Sequence, residues 1–108
     1  MTAYRNGRTL AAALAALLLL AGAARPAPYP QRLGRAVDTC TTANRTQAAF
    51  VDCVDDLAAP DPRVPREVDI WRTFLDCVAE WYRALDESTP PGWDVNDCLE
   101  DHGVDVGP

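Results

Sequence analysis

Apolar residues follow two different rhythms along this chain. From Leu10 to Leu20 they form an unbroken run of alanine and leucine. From Asp38 onward they recur every three or four residues, the period of a helix with one buried face. The first periodic stretch predicts a helix over 38–58, with Asp38 as its cap. Cys40, Ala43, Phe50, Val54 and Leu57 share one stripe, and Gln47 is its polar exception. Thr41, Thr42 and Thr46 weaken helix propensity and mark the neighbourhood of Asn44 as the place for a break. Pro60, Pro62 and Pro65 end the helix and stiffen the connector over 59–65.

The second periodic stretch is the clearest and predicts a helix from Pro65 or Arg66 to about Asp86. Glu67 and Asp69 lie in its first turn, where the helix dipole favours acids. Trp71, Leu75, Val78, Tyr82 and Leu85 form one stripe, and Ile70, Phe74, Cys77 and Trp81 form a second beside it. The run from Ser88 to Gly92 terminates it. A short third helix is expected from about Asp94 to Asp101, closed by Gly103, with 104–108 as a frayed tail. The fold expected is all-α: a helical hairpin plus a short third helix, in one small disulfide-stapled domain.

The leader changes the picture of where this domain works. Arg5 and Arg8 precede the Ala/Leu run, and the small residues 21–24 follow it, the order of a secretory signal cut after Ala23 or Ala24. The run is roughly half the about 20 residues that a bilayer span needs. The expected organisation is therefore a signal peptide over 1–24, a Pro-rich extended tail or pro-segment over 25–35, and a cysteine-stapled helical domain over 36–108. Arg32 and Arg35 fit the R-x-x-R form cut by furin-like proteases, which makes Arg35 a processing candidate; Arg63 and Arg66 repeat the spacing. The domain is expected to be secreted and extracellular, with no membrane insertion after signal removal.

Charge narrows the partners. Sixteen acids face ten arginines and no lysine, a formal charge of −6. Two arginines and none of the acids belong to residues 1–24, so the remaining 84 residues carry −8. Such a surface gains nothing from nucleic acid or anionic membrane and favours basic partners.

Cys40, Cys53, Cys77 and Cys98 all follow the leader, an even number in a small exported chain, and imply two disulfides with three pairings to choose from. On one unbroken helix Cys40 and Cys53 are about 19.5 Å apart along the axis, too far to bond unless the helix breaks. Folding two long helices about the proline connector favours Cys53–Cys77 with Cys40–Cys98, and leaves Cys40–Cys77 with Cys53–Cys98 open.

Little else carries chemistry. His102, the one histidine, has no serine partner for nucleophilic catalysis, and the cysteines serve better as cross-links. Cys98 and His102 share a helix face at i, i+4, a metal-ligand spacing, but a disulfide-bonded cysteine is no thiolate ligand. Paired acids such as Asp55 and Asp56 read as a solvated face. No catalytic residue, metal or cofactor is assigned, and no enzyme activity is expected. Asn44-Arg45-Thr46 is an N-glycosylation sequon, which makes Asn44 a glycosylation candidate. The aromatic residues Trp71, Phe74, Trp81 and Tyr82 serve either as core or as an uncovered binding face.

The stretch Cys40-Thr41-Thr42-Ala43-Asn44-Arg45-Thr46-Gln47-Ala48-Ala49-Phe50 resembles the opening helix of oomycete elicitins, which are exported, helical, disulfide-stapled sterol carriers. The resemblance covers eleven residues. Elicitins have six cysteines, and the remaining spacings here depart from theirs, so no residue or activity is carried over. Insect odorant-binding proteins are similar in style but not in cysteine spacing. The functional expectation is a small secreted interaction protein, a hormone-like ligand, effector or toxin-like factor that binds an extracellular protein partner or receptor. The alternative is an extracellular carrier of a small apolar ligand.

Overall fold

In the computed structural model, residues 26–41, 45–86 and 91–107 are described. The leader over 1–24 and the sequon asparagine Asn44 lie outside them. Four helices follow in chain order: α1 (Tyr29–Thr41), α2 (Gln47–Ala58), α3 (Pro65–Leu85) and α4 (Val95–Asp101). The fold is all-α, as the periodicity implied, with one helix more than expected.

The additional helix arises because the first predicted one extends further towards the N-terminus and is interrupted inside its expected range. Residues 29–35 are not an extended tail but the first two turns of α1. The prolines at 26, 28 and 30 do not prevent this, because Pro30 sits in the first helical turn, where no intrahelical N–H bond is lost. What holds the segment is burial: Tyr29 is 5% exposed and Leu33 fully buried. The Tyr29 hydroxyl donates to the Ala58 carbonyl at 2.9 Å, and the Arg32 guanidinium lies 5.4 Å from the Tyr29 ring centre.

The single helix expected over 38–58 is in fact two. α1 ends at Thr41, and α2 starts at Gln47 behind Thr46, whose hydroxyl accepts the Ala49 N–H at 3.2 Å. The threonines that lower propensity there thus also supply the new cap. The eleven residues that resemble an elicitin helix straddle this junction and do not form one helix.

That break decides the disulfides. They join Cys40 to Cys53 and Cys77 to Cys98, with Cα separations of 5.9 and 5.8 Å. The nested pairing and its stated alternative both fail, because both assumed a continuous helix between Cys40 and Cys53. With α2 folded back on α1, the end of α1 meets the middle of α2 at the disulfide, while Tyr29 meets Ala58 at the other end. The two helices are antiparallel. Each closed loop, 13 and 21 residues in sequence separation, restricts the unfolded chain by about 3 kcal/mol on the chain-entropy estimate.

The connector is a built turn. Asp61 accepts the Arg63 backbone N–H at 2.9 Å and its side-chain nitrogens at 3.1 Å, which holds the Asp61 carboxyl below its ordinary range. Glu67, in the first turn of α3, accepts the Asp61 N–H at 3.0 Å. α3 then runs for 21 residues, and α4 packs back along it through the second disulfide. Asp94 and Asp97 form a reciprocal capping box at the start of α4.

Its end is equally specified. Val104 N–H reaches the Leu99 carbonyl and Gly103 N–H the Glu100 carbonyl, both at 2.9 Å, with Gly103 at φ 81°. This is a Schellman closure, which needs a residue at ease with positive φ. Residues 104–107 are accordingly not frayed. Val104 is buried, and Val106 lies over α1 at Gly34, where a Cβ would stand 2.7 Å from the Val106 Cβ. Asn96 adds a second tie, donating to the Gly34 carbonyl at 3.1 Å and the Asp38 carboxylate at 3.0 Å. One core results, built from Leu33 and Val37 of α1, Phe50 and Val54 of α2, Phe74 and Val78 of α3, and Leu99 of α4.

Tryptic digestion of the unreduced protein checks the pairing. Residues 36–45 should remain linked to 46–63, and 73–83 to 84–108; a 46–63 with 73–83 product would restore the nested pattern.

A second check uses Tyr29. Burial, and secondarily the nearby Glu67 carboxylate, pushes its hydroxyl up to about 12. Because the folded state favours the neutral phenol, its contribution is complete below pH 10 and is lost as pH rises from 10 towards 12. Tyr29→Phe should cost about 1–3 kcal/mol at neutral pH by leaving the Ala58 carbonyl unpaired. Its deficit relative to wild type should shrink over that alkaline range in urea titrations.

Candidate functional site

The aromatic residues of α3 were the strongest functional candidates in the sequence, and the structure divides them. Phe74 is fully buried, with its ring centre 6.1 Å from Phe50 and 4.8 Å from Trp71. It belongs to the core and offers nothing to a partner. Trp81 and Tyr82 are partly buried, and their rings meet edge-on at 5.1 Å, each also near Phe50. Pairs of this kind contribute about 0.5–1.5 kcal/mol beyond area burial. The Tyr82 hydroxyl donates to the Arg45 carbonyl at 3.0 Å, tying α3 to the chain just before α2; burial raises its pKa. Trp71 is partly buried at the border of the core.

What remains exposed is a strip rather than an aromatic cluster. Val68, Trp71, Leu75, Ala79, Tyr82 and Leu85 follow one another at three- or four-residue steps along α3 and all keep surface in contact with solvent. Leu75 is 37% and Leu85 41% exposed. The strip covers seventeen steps of helix, about 25 Å. Leu75 and Leu85 lay on the sequence stripe, but their exposure did not follow from it. On an isolated helix the two stripes cannot be ranked; the position of Phe50 and of the second disulfide decides which one is covered. Leu57 of α2, 56% exposed, and Val64 in the connector are the other large apolar side chains open to solvent.

The hollows of the described surface are open to solvent and mixed in lining. One of about 220 Å³ lies between α1 and α4, bordered by Arg35, Asp38, Asn96 and Glu100. Another of about 290 Å³ is bordered by Glu80, Trp93, Cys98 and His102. Neither is an enclosed apolar chamber of the kind that holds a lipid.

The processing candidate Arg35 is exposed in the middle of α1. A cut after it would detach Tyr29 and Leu33 from the core, and a helical backbone does not enter a protease cleft without local unfolding. Arg63, in the repeated R-x-x-R, is held in the connector turn by Asp61. No helix among the described residues is long and apolar enough to cross a membrane. No protein-family model, curated protein or solved structure matches the chain.

Stability measurements separate the two kinds of residue. Phe74→Ala should cost about 3–5 kcal/mol as a core truncation. Leu75→Asp, on the exposed strip, should stay within about 1 kcal/mol of wild type in the same urea titration.

Proposed function

We propose that the protein is a small exported interaction factor that acts by binding another protein through the apolar strip of α3. One observation carries this reading: an otherwise acidic domain leaves Leu75 and Leu85 exposed, in line with the partly buried Val68, Trp71, Ala79 and Tyr82, along the longest of the described helices. Between α2 and α3 the Phe50 ring meets those of Phe74, Trp81 and Tyr82. That leaves the strip, not the interior, as the apolar surface available for recognition. A helix of this length presents anchors at i, i+3 and i+4 steps, a pattern suited to a groove or to another amphipathic helix.

The signal-like leader and the two disulfides agree with an extracellular place of action. The formal charge of −8 beyond residue 24 favours a partner whose rim is basic, where attraction chiefly speeds encounter. No catalytic step is proposed.

The test is made on full-length protein secreted from a eukaryotic host. Native mass spectrometry should give the bare polypeptide, two disulfides intact, with an N-terminus ahead of Tyr29. A retained apolar adduct would favour the carrier reading instead. Labelled protein should bind saturably to cells of its source. Leu75→Asp with Leu85→Asp should weaken that binding at least tenfold while the far-UV spectrum is unchanged; equal binding by the double variant would remove the strip from the function.

A further inference from the structure

The two disulfides are not chemically equivalent. The chain has one histidine, and it stands beside the second disulfide: the sulfurs of Cys77 and Cys98 and a ring nitrogen of His102 all lie within 4.8 Å of one another. A carboxylate oxygen of Glu80 lies 3.7 Å from the Cys98 sulfur. Two local spacings create this. Cys77 and Glu80 are one turn apart on α3, and Cys98 and His102 are one turn apart at the end of α4, so the two packed helices each deliver one sulfur and one harder donor. Cys77 is fully buried and Cys98 6% exposed, whereas His102 and Glu80 are exposed and border the same open hollow of about 290 Å³.

We propose that the Cys77–Cys98 pair is a redox-gated metal site: in its reduced form it binds a zinc-class divalent ion through Cys77, Cys98 and His102, and the exposed Glu80 side chain, which stands outside that 4.8 Å group beside Cys98, swings in as the fourth ligand. In the oxidised protein both sulfurs are committed to each other and cannot act as thiolate ligands. A dithiol reductant gives two electrons and two protons to the S–S bond, leaving two thiols and becoming a disulfide itself. The incoming divalent ion then replaces the two thiol protons, which pass to solvent. Two sulfurs, an imidazole nitrogen and a carboxylate oxygen form a four-ligand set that zinc accepts in tetrahedral geometry. Sulfurs about 2.3 Å from such an ion stand roughly 3.8 Å apart, a separation that side-chain rotation provides from Cα atoms 5.8 Å apart. The hollow beside His102 and Glu80 is the route by which reductant and ion arrive.

The ion would take over the disulfide's mechanical task, holding α4 on α3. Cys40 and Cys53 have no such option, because the only histidine is committed to the other pair. This inference concerns a different face from the α3 strip and stands or falls without it.

The experiment uses the full secreted chain, reduced without oxygen by a phosphine and titrated with Co(II) and then Zn(II). One Co(II) per chain should bind, with the intense visible bands of a tetrahedral, thiolate-bound ion, and one Zn(II) should displace it. Oxidised protein should show no such bands. His102→Ala and Glu80→Gln alter exposed side chains and should leave the oxidised fold intact, yet each should weaken Co(II) binding at least tenfold after reduction. Cys77→Ser with Cys98→Ser should abolish it. Absence of tetrahedral bands in reduced wild type would overturn the site. So would undiminished affinity in His102→Ala, since that would mean capture by loose thiols alone. If reduction lowers helicity, recovery of the far-UV spectrum on adding Zn(II), lost in His102→Ala, supports the site; no recovery overturns it.

Discussion

The Cys40–Cys53 bond is possible only because α1 ends at Thr41 and a separate helix, α2, starts at Gln47, and the rest of the architecture depends on that coupling. The bond fixes α2 antiparallel to α1 and so brings Ala58 to the hydroxyl of Tyr29. Phe50 of the same helix is in contact with Phe74, Trp81 and Tyr82 of α3. A chain of this size buries too little apolar surface to hold such an arrangement by packing alone. Local staples suit it because each one restricts a neighbouring pair of helices even in the unfolded chain. The entropy withdrawn from the unfolded chain is of the same order as the stability of a small domain.

Each staple lies within its own half of the chain. The α1–α2 hairpin and the α3–α4 pair share no covalent link except the connector 59–64. Their association rests on the aromatic contact of Phe50 with α3, on Tyr82 bonding to the Arg45 carbonyl, and on Asn96 and Val106 gripping α1 at Gly34. Gly34 matters here for what it lacks. Without a Cβ, α1 lets the C-terminal segment approach closely enough for Val106 to seal the seam between the halves.

Much of this was legible in sequence, and the failures share one cause. α3 and α4 were readable to within a residue or two, because Pro65 and Glu67 open one and Asp94, Asp97 and Gly103 bracket the other. Those are local signals, complete in themselves. α1 was not readable, since Arg-Pro-Ala-Pro-Tyr-Pro carries every sign of an extended tail. Its helix exists because Tyr29 and Leu33 find a partner surface on α2 some thirty residues later, which no local window contains. The disulfide pairing failed for the same reason at one remove. Periodicity through 40–57 persists across the junction, and only the low propensity of Thr41, Thr42 and Thr46, with Thr46 as a cap, hints at two short helices rather than one long one. The site was half legible: periodicity identified the α3 stripe carrying Leu75 and Tyr82, while the tertiary contacts decided that its edge, rather than Phe74, faces solvent.

Exposure along α3 has a physical rationale that bears on function. Its apolar surface spans more than one stripe, and α2 and α4 cover only the sector centred on Phe74, Cys77 and Val78. Adding polar residues at 75 and 85 would improve solubility at almost no cost in core packing, since neither side chain is needed to fill the interior. Leucine at both positions is therefore not explained by the fold. Under the function proposed above, a second surface would complete their burial, and the acidic character of the remaining domain would make that surface selective. A neutral domain with the same strip would associate with its own copies or with any apolar face; a formal charge of −8 over 84 residues opposes self-association while leaving a basic-rimmed partner attracted. In that proposal the strip would supply the affinity, and the charge would restrict who can use it.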